Sequence, residues 1–244
     1  MNSTTETVRI LPAGDHALAV EFGDKIDPAV NDRVHALAAR IREASIIGVT
    51  ELVPTFRSLL VVYEPSILKY GELKSTVERL ACLPETSASD TGRVLHIPCC
   101  YGSHFGPDLP DLERYTGIDR DAIIAIHSGT EYRVYMLGFL PGFVYLGGLD
   151  ERIAMPRLST PRVRIPKGSV GIGGNQTGVY PLESPGGWRL IGSTPLDFYN
   201  PEREAPVLCR AGDRIRFYPI NSSDYYDIRR MQAHGGGDAV WQFA

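Results

Sequence analysis

The chain has 244 residues, of which 43% are hydrophobic and 22% charged, an ordinary globular composition with material for one large or two modest cores. Its formal net charge is -4, so nothing global recommends nucleic acid as a partner. No window reaches the roughly 18 unbroken apolar residues of a membrane span. The polar stretch Met1 to Thr7 lacks a hydrophobic signal core, so a cytoplasmic location is expected. Cys82, Cys99, Cys100 and Cys209 form no C-x-x-C pair, which argues for reduced structural thiols and no metal site.

Short strands are expected at Val8–Ile10 and Ala17–Phe22, around the turn Pro12-Ala13-Gly14-Asp15. Asp27-Pro28 supplies an N-cap acid and a first-position proline. Val30, Val34, Leu37, Ala38 and Ile41 then repeat at helical spacing. Val49–Val53 and Ser58–Tyr63 read as strands. Ser66 is expected to cap a second helix carrying Leu68, Leu73, Val77 and Leu80.

The polar run from Pro84 to Gly92 reads as a linker between an α+β domain at 1–88 and a second domain at 89–244. Charge changes there too. Residues 1–92 hold 9 basic and 13 acidic side chains, whereas 93–244 hold 16 of each. The second part opens with a strand, Arg93–Pro98. Two short helices follow, one over Leu109–Tyr115 and one capped by Asp119, carrying Ile123, Ile124 and Ile126, and stopped by Gly129. After Tyr132–Leu137 the pattern is all-β, which suggests a barrel or sandwich. The tail from Ala233 to Gly237 is expected to be mobile.

Residues 138–192 contain 12 glycines and 6 prolines. Regularly interleaved apolar residues point to tight ordered turns on a β scaffold. Arg152, Arg157, Arg162, Arg164, Lys167 and Arg189 face only two acids, Glu151 and Glu183, between 151 and 189. Arginine suits carboxylate and phosphate, and an alternating strand places Arg162 and Arg164 on one face. A solvated basic face is the equal alternative. Gly171 to Gly178 is glycine-rich but lacks the lysine and helix of a phosphate loop, and no nucleophile elbow or zinc motif occurs. His127 lies at a helix end, where a dipole contact competes with an acid–base role.

The run Gly138-Phe139-Leu140-Pro141-Gly142-Phe143-Val144-Tyr145-Leu146-Gly147-Gly148-Leu149-Asp150 resembles the signature of the 5-oxoprolinase B-subunit family, which includes KipI and proteins once called allophanate hydrolase subunit 1. Agreement extends to Pro54–Val61, Tyr101-Gly102, Phe105–Leu109, Pro161-Arg162, Gly168–Ile172, Gln176–Tyr180, Ser184–Trp188 and Thr194–Leu196. The sequence departs from the family pattern at Lys167, Val144 and Cys99-Cys100.

The resemblance implies an α+β N-terminal domain followed by a mainly-β, cyclophilin-like barrel domain. It implies a complex with the 5-oxoprolinase A and C subunits, the latter a tight partner, that cleaves 5-oxo-L-proline to L-glutamate with ATP. The chain alone is expected to be inactive. ATP, with or without magnesium, is expected at the complex interface. Arg57, Arg162, Arg164 and Arg189 are the candidate anion binders. Gln176 and Tyr180 are candidate orienting hydrogen bonders, and His127 is the candidate acid or base. Phe139, Phe143, Tyr145 and Trp188 could line a groove or form plain core. Inhibition of a sensor histidine kinase, as in KipI, and carboxyl transfer in a urea or allophanate system are the alternatives. Prolyl isomerase activity is a weaker one, because fold alone does not establish it.

Overall fold

The computed structural model describes residues 8–83 and 93–233. The Pro84–Gly92 segment and the tail from His234 lie outside them. The chain divides into two units, Met1–Asp90 and Thr91–Ala244.

In the first unit, β1 (Arg9–Pro12), β2 (Ala17–Glu21), β3 (Val49–Pro54) and β4 (Ser58–Tyr63) form an antiparallel sheet in the order β1-β2-β4-β3. Alternation along β4 buries Leu59, Val61 and Tyr63 on one face. Helix α1 (Pro28–Glu43) starts where its cap chemistry dictates. The Asp27 carboxylate accepts from the Ala29 amide at 2.7 Å. Val34, Leu37, Ala38 and Ile41 then meet the sheet residues Leu18, Val20 and Leu59 in one core. Helix α2 (Tyr70–Ala81) adds Leu73, Val77 and Leu80.

The Ser66 cap expectation is corrected, because α2 begins after Lys69. The Ser66 amide and hydroxyl both donate to the Glu64 carboxylate, at 3.1 and 2.8 Å. The Leu68 amide, which a Ser66 cap would accept from, donates instead to the Glu64 carbonyl at 2.9 Å.

The second unit is a closed seven-stranded barrel with helical additions. Its strands are β5 (Val94–Tyr101), β6 (Glu131–Leu137), β7 (Val144–Gly147), β9 (Ser169–Gly173), β10 (Gln176–Val179), β12 (Arg189–Ser193) and β13 (Arg214–Pro219). β8 (Arg162–Ile165) and β11 (Ser184–Gly186) pair separately. Around the barrel the order is β10-β7-β6-β13-β5-β12-β9, with β13 parallel to β5. The principal core joins Ile97, Ile172, Ile191 and Phe217 to Leu112 and Ile123. The last two come from α3 (Leu109–Thr116) and α4 (Arg120–Gly129). Asp119 caps α4, accepting from the Ala122 amide at 3.0 Å.

The adjacent cysteines point apart. Cys99 enters the principal core, while Cys100 packs with Phe105 and Tyr225.

The all-β expectation after Leu137 needs a correction. Glu151–Ile153 form one 3-10 turn, and α5 (Ser222–Ala233) closes the described chain. α5 buries Tyr225, with Ile228 only partly covered, so its periodicity is faint. Its start is nonetheless encoded, because the Asn221 side chain accepts from the Asp224 amide at 2.9 Å.

The loop from Gly102 to Asp108 lies against β12 through Gly102 N–H to Ile191 O and Asp108 N–H to Leu190 O, at 3.0 and 2.9 Å. A Cβ at Gly106 would sit 1.9 Å from the Ile191 carbonyl oxygen. Gly106→Ala therefore has to push backbone from backbone, and is expected to destabilise the second unit by roughly 3 kcal/mol. Urea unfolding checks this. A loss below about 1 kcal/mol would mean the loop can lift away from β12 freely.

Candidate functional site

The arginines selected from sequence each hold a partner already. Arg162 donates to both oxygens of Asp108, at 2.9 and 2.6 Å. The same carboxylate accepts from the Leu190 amide at 2.7 Å. Asp108 is buried, so this bidentate pair ties β8 to the loop before α3 and to β12. Arg164 pairs with Glu183 at 2.7 Å on the surface. Arg189 donates to the Pro156 carbonyl at 3.3 Å and lies 3.5 Å from Asp111. Arg57 belongs to the first unit and donates to the Gly23 carbonyl at 2.6 Å.

His127 is fully buried between the Tyr132 and Phe217 rings. Its Nδ1 lies 2.8 Å from the Tyr101 hydroxyl and its Nε2 lies 3.0 Å from Thr177 Oγ1. Thr177 donates its only proton to the Gly171 carbonyl at 3.0 Å. The network therefore assigns the imidazole proton to Nε2, with Nδ1 accepting from Tyr101. Burial pulls the pKa down to about 3, so the ring is neutral at physiological pH. Both nitrogens are committed and no edge meets solvent. The geometry makes His127 a tie between α4, β5 and β10, and the acid–base expectation has no exposed nitrogen to act through.

Tyr180 is likewise interior. It packs with Phe143, Ile165, Trp188 and Leu190, and burial pushes its phenol up to about 12. Of the groove candidates, Phe143 and Trp188 are thus core, Tyr145 is half-buried and packs against them, and Phe139 alone is exposed. Phe139 has φ 66°, a strained setting for a residue with a side chain, and its ring meets Phe143 edge-on at 5.6 Å. Gln176 opens β10, half-buried, opposite Gly173. The Gly171–Gly178 segment is the β9–β10 hairpin. It has no strand-to-helix turn, so it lacks the helix N-terminus of a phosphate loop. Among the described residues no group of three or more His, Cys, Asp or Glu side chains could hold a metal.

A concave feature of this unit lies elsewhere, under α5. A pocket of about 570 Å³ has Phe105, Tyr225 and Tyr226 as apolar walls, Ser169 and Ser193 among its polar groups, and Lys167, Arg229 and Arg230 as its cations. Lys167 binds Asp197 at 2.7 Å, and Arg230 pairs with Asp227. Arg229 donates to the Tyr225 hydroxyl at 3.2 Å, and that hydroxyl lies 3.1 Å from Ser193 Oγ. The sequence signals for this pocket are the departure at Lys167 and the Arg229-Arg230 doublet. The doublet means little until α5 is recognised as a helix, and sequence periodicity does not mark it.

A family model described as carboxyltransferase domain, subdomain C and D, matches residues 8–209. The 5-oxoprolinase B subunit of Bacillus subtilis (strain 168) is 45% identical over 233 residues, covering 91% of this chain and 97% of that protein. The chain belongs to the 5-oxoprolinase B-subunit family. The Escherichia coli O157:H7 member is 40% identical, covering 84% of this chain and 93% of that protein. In fold, the chain is similar to the Kluyveromyces lactis urea carboxylase crystal structure, with TM-score 0.77 and 20% identity. That match covers 97% of this chain and 24% of the carboxylase. The residues that carried the family resemblance now have physical roles. In Phe105–Leu109, Phe105 walls the pocket, Gly106 allows the approach to β12, Asp108 anchors Arg162, and Leu109 enters the core. In Gly138–Asp150, Gly142 turns at φ 80° and Gly147 sits where a Cβ would strike the Tyr135 ring.

No helix among the described residues is long and apolar enough to cross a membrane.

Proposed function

We propose that this chain works as the B subunit of an ATP-dependent 5-oxoprolinase, together with the A and C subunits, opening the lactam of 5-oxo-L-proline to L-glutamate. The observation that carries this reading is the 45% identity to the curated Bacillus subtilis protein along 97% of its length. The chemistry needs a complex. A five-membered lactam is a stable amide, and transfer of the γ-phosphoryl group of ATP to its oxygen would activate the ring carbon toward water. Water then adds, the C–N bond breaks, and glutamate, ADP and inorganic phosphate leave. Such a site has to stabilise developing anionic charge while excluding bulk water.

Within this chain, the β9–β10 hairpin lacks the helix N-terminus of a phosphate loop. We therefore place the nucleotide at an interface within the complex or on another of its chains. The pocket under α5, with cations beside aromatic walls, is a part of this chain suited to an anion. Arg162 is assigned a structural role through Asp108, and catalysis is not routed through His127. Co-elution of this chain with the A and C subunits in size-exclusion chromatography tests the assembly. A single stoichiometric species is expected. A chain that elutes alone beside folded partners, yet binds the dimerisation domain of a sensor histidine kinase, would transfer the reading to a kinase inhibitor.

A further inference from the structure

The pocket under α5 has an internal logic that its lining charges reveal. Ser193 is buried at its floor, only 7% exposed, and Tyr225 is 4% exposed. Arg229 can only donate, so the Tyr225 oxygen accepts from it. Ser193 Oγ lies 3.1 Å from the same Tyr225 oxygen, and that one contact can use only one of the two hydroxyl protons. Whichever way it runs, one hydroxyl proton of the Ser193–Tyr225 pair is left without a protein acceptor among the described residues, in a place where an unused donor is costly. Of the three cations, Lys167 and Arg230 already face Asp197 and Asp227. Arg229 has no carboxylate partner among the described residues.

The pocket thus presents one uncompensated guanidinium and one buried hydroxyl proton, beside an apolar wall of Phe105, Tyr225 and Tyr226. That balance suits a single negative charge on a small ring. A nucleoside triphosphate brings several negative charges, more than one uncompensated cation balances. The volume falls within the roughly 300–1,000 Å³ of small-molecule pockets.

We propose that this pocket binds the carboxylate of a small cyclic monoanion through Arg229 and the Ser193 hydroxyl, with the ring against the aromatic wall. The ligand is 5-oxo-L-proline, an identification that rests on the function proposed above. Arg229 is exposed at the mouth, so water screens part of its attraction for the ligand.

The test varies 5-oxo-L-proline and ATP separately in the reconstituted complex of all three proteins, with wild-type, Arg229→Gln, Arg229→Lys and Ser193→Ala forms of this chain. Loss of one charge-assisted hydrogen bond is expected to raise the KM for 5-oxo-L-proline about tenfold in Arg229→Gln. The KM for ATP should stay put, and Arg229→Lys should recover part of the loss. Ser193→Ala should act in the same direction, and thermal melting confirms that each variant folds. An unchanged KM for 5-oxo-L-proline in both Arg229→Gln and Ser193→Ala overturns the proposal, and so does a rise confined to ATP. If the wild-type complex makes no glutamate, the functional reading fails by itself. Ligand NMR on the full chain then decides the pocket, with 5-oxo-L-proline, 2-pyrrolidinone and inorganic phosphate as probes. Binding of the first alone, lost in Arg229→Gln, sustains a carboxylate pocket. Binding of phosphate instead, or of none, removes it.

Discussion

Replacing Asp108 with alanine is expected to cost the second unit about 3 kcal/mol of stability. The carboxylate is the meeting point of three donors: both terminal nitrogens of Arg162 and the Leu190 amide, all within 2.9 Å. Its own side chain is 5% exposed, whereas that of Arg162 is 31% exposed. Removing it leaves the Leu190 N–H facing a void, which incurs the full desolvation penalty of a buried donor. Arg162 can turn partly to water, which keeps the loss toward the lower end of the range for a broken buried pair. Arg164→Ala is the natural control, because the Arg164–Glu183 pair is largely solvated. Urea denaturation should show a fall in midpoint for Asp108→Ala and a change within about 0.5 kcal/mol for Arg164→Ala. Equal effects from the two would mean that Asp108 is not an anchor.

His127 is expected to make the second unit acid-labile. Its pKa in the fold is about 3, lowered by burial from 6.5. Between those values the unfolded chain binds a proton at this residue and the folded chain does not. Stability is therefore complete above about pH 6.5 and declines as pH falls toward 3. The contribution of this one group is at most about 1.4 kcal/mol per pH unit. Unfolding free energies measured from pH 7 to pH 4 should show this slope in the wild-type chain. His127→Gln, less stable at pH 7, should lack it. The same slope in both proteins would place the acid sensitivity elsewhere.

Much of the fold was legible because its signals are local. Asp27-Pro28 and Asp119 open helices by hydrogen bonds that reach only two or three residues along the chain. The alternation of β4 is a property of six consecutive residues. Ser66 misled because the Glu64 carbonyl, two residues back, takes the Leu68 amide that a cap would need. α5 escaped because it carries one buried residue, so hydrophobic spacing could not mark it, although Asn221 was in place as its cap.

The site was less legible, for a physical reason. Arginine content announces that anions are needed nearby. It does not tell whether the anion is a ligand or a side chain 54 residues away, as Asp108 is for Arg162. Aromatic spacing has the same ambiguity. Phe139 and Phe143 are four residues apart in one glycine-rich run, yet one is exposed and the other is core. The turn at Gly142 sends them opposite ways relative to solvent. His127 could be read as a helix-end cation only while Thr177 and Tyr101, distant in sequence, were out of view.

The central claim is that this chain is a required part of a lactam-opening complex. Glutamate release from 5-oxo-L-proline and ATP, with the A and C subunits present and this chain added or omitted, tests it most directly. The account predicts release only when all three are together. Equal release without this chain, from partners shown to be folded, would contradict it.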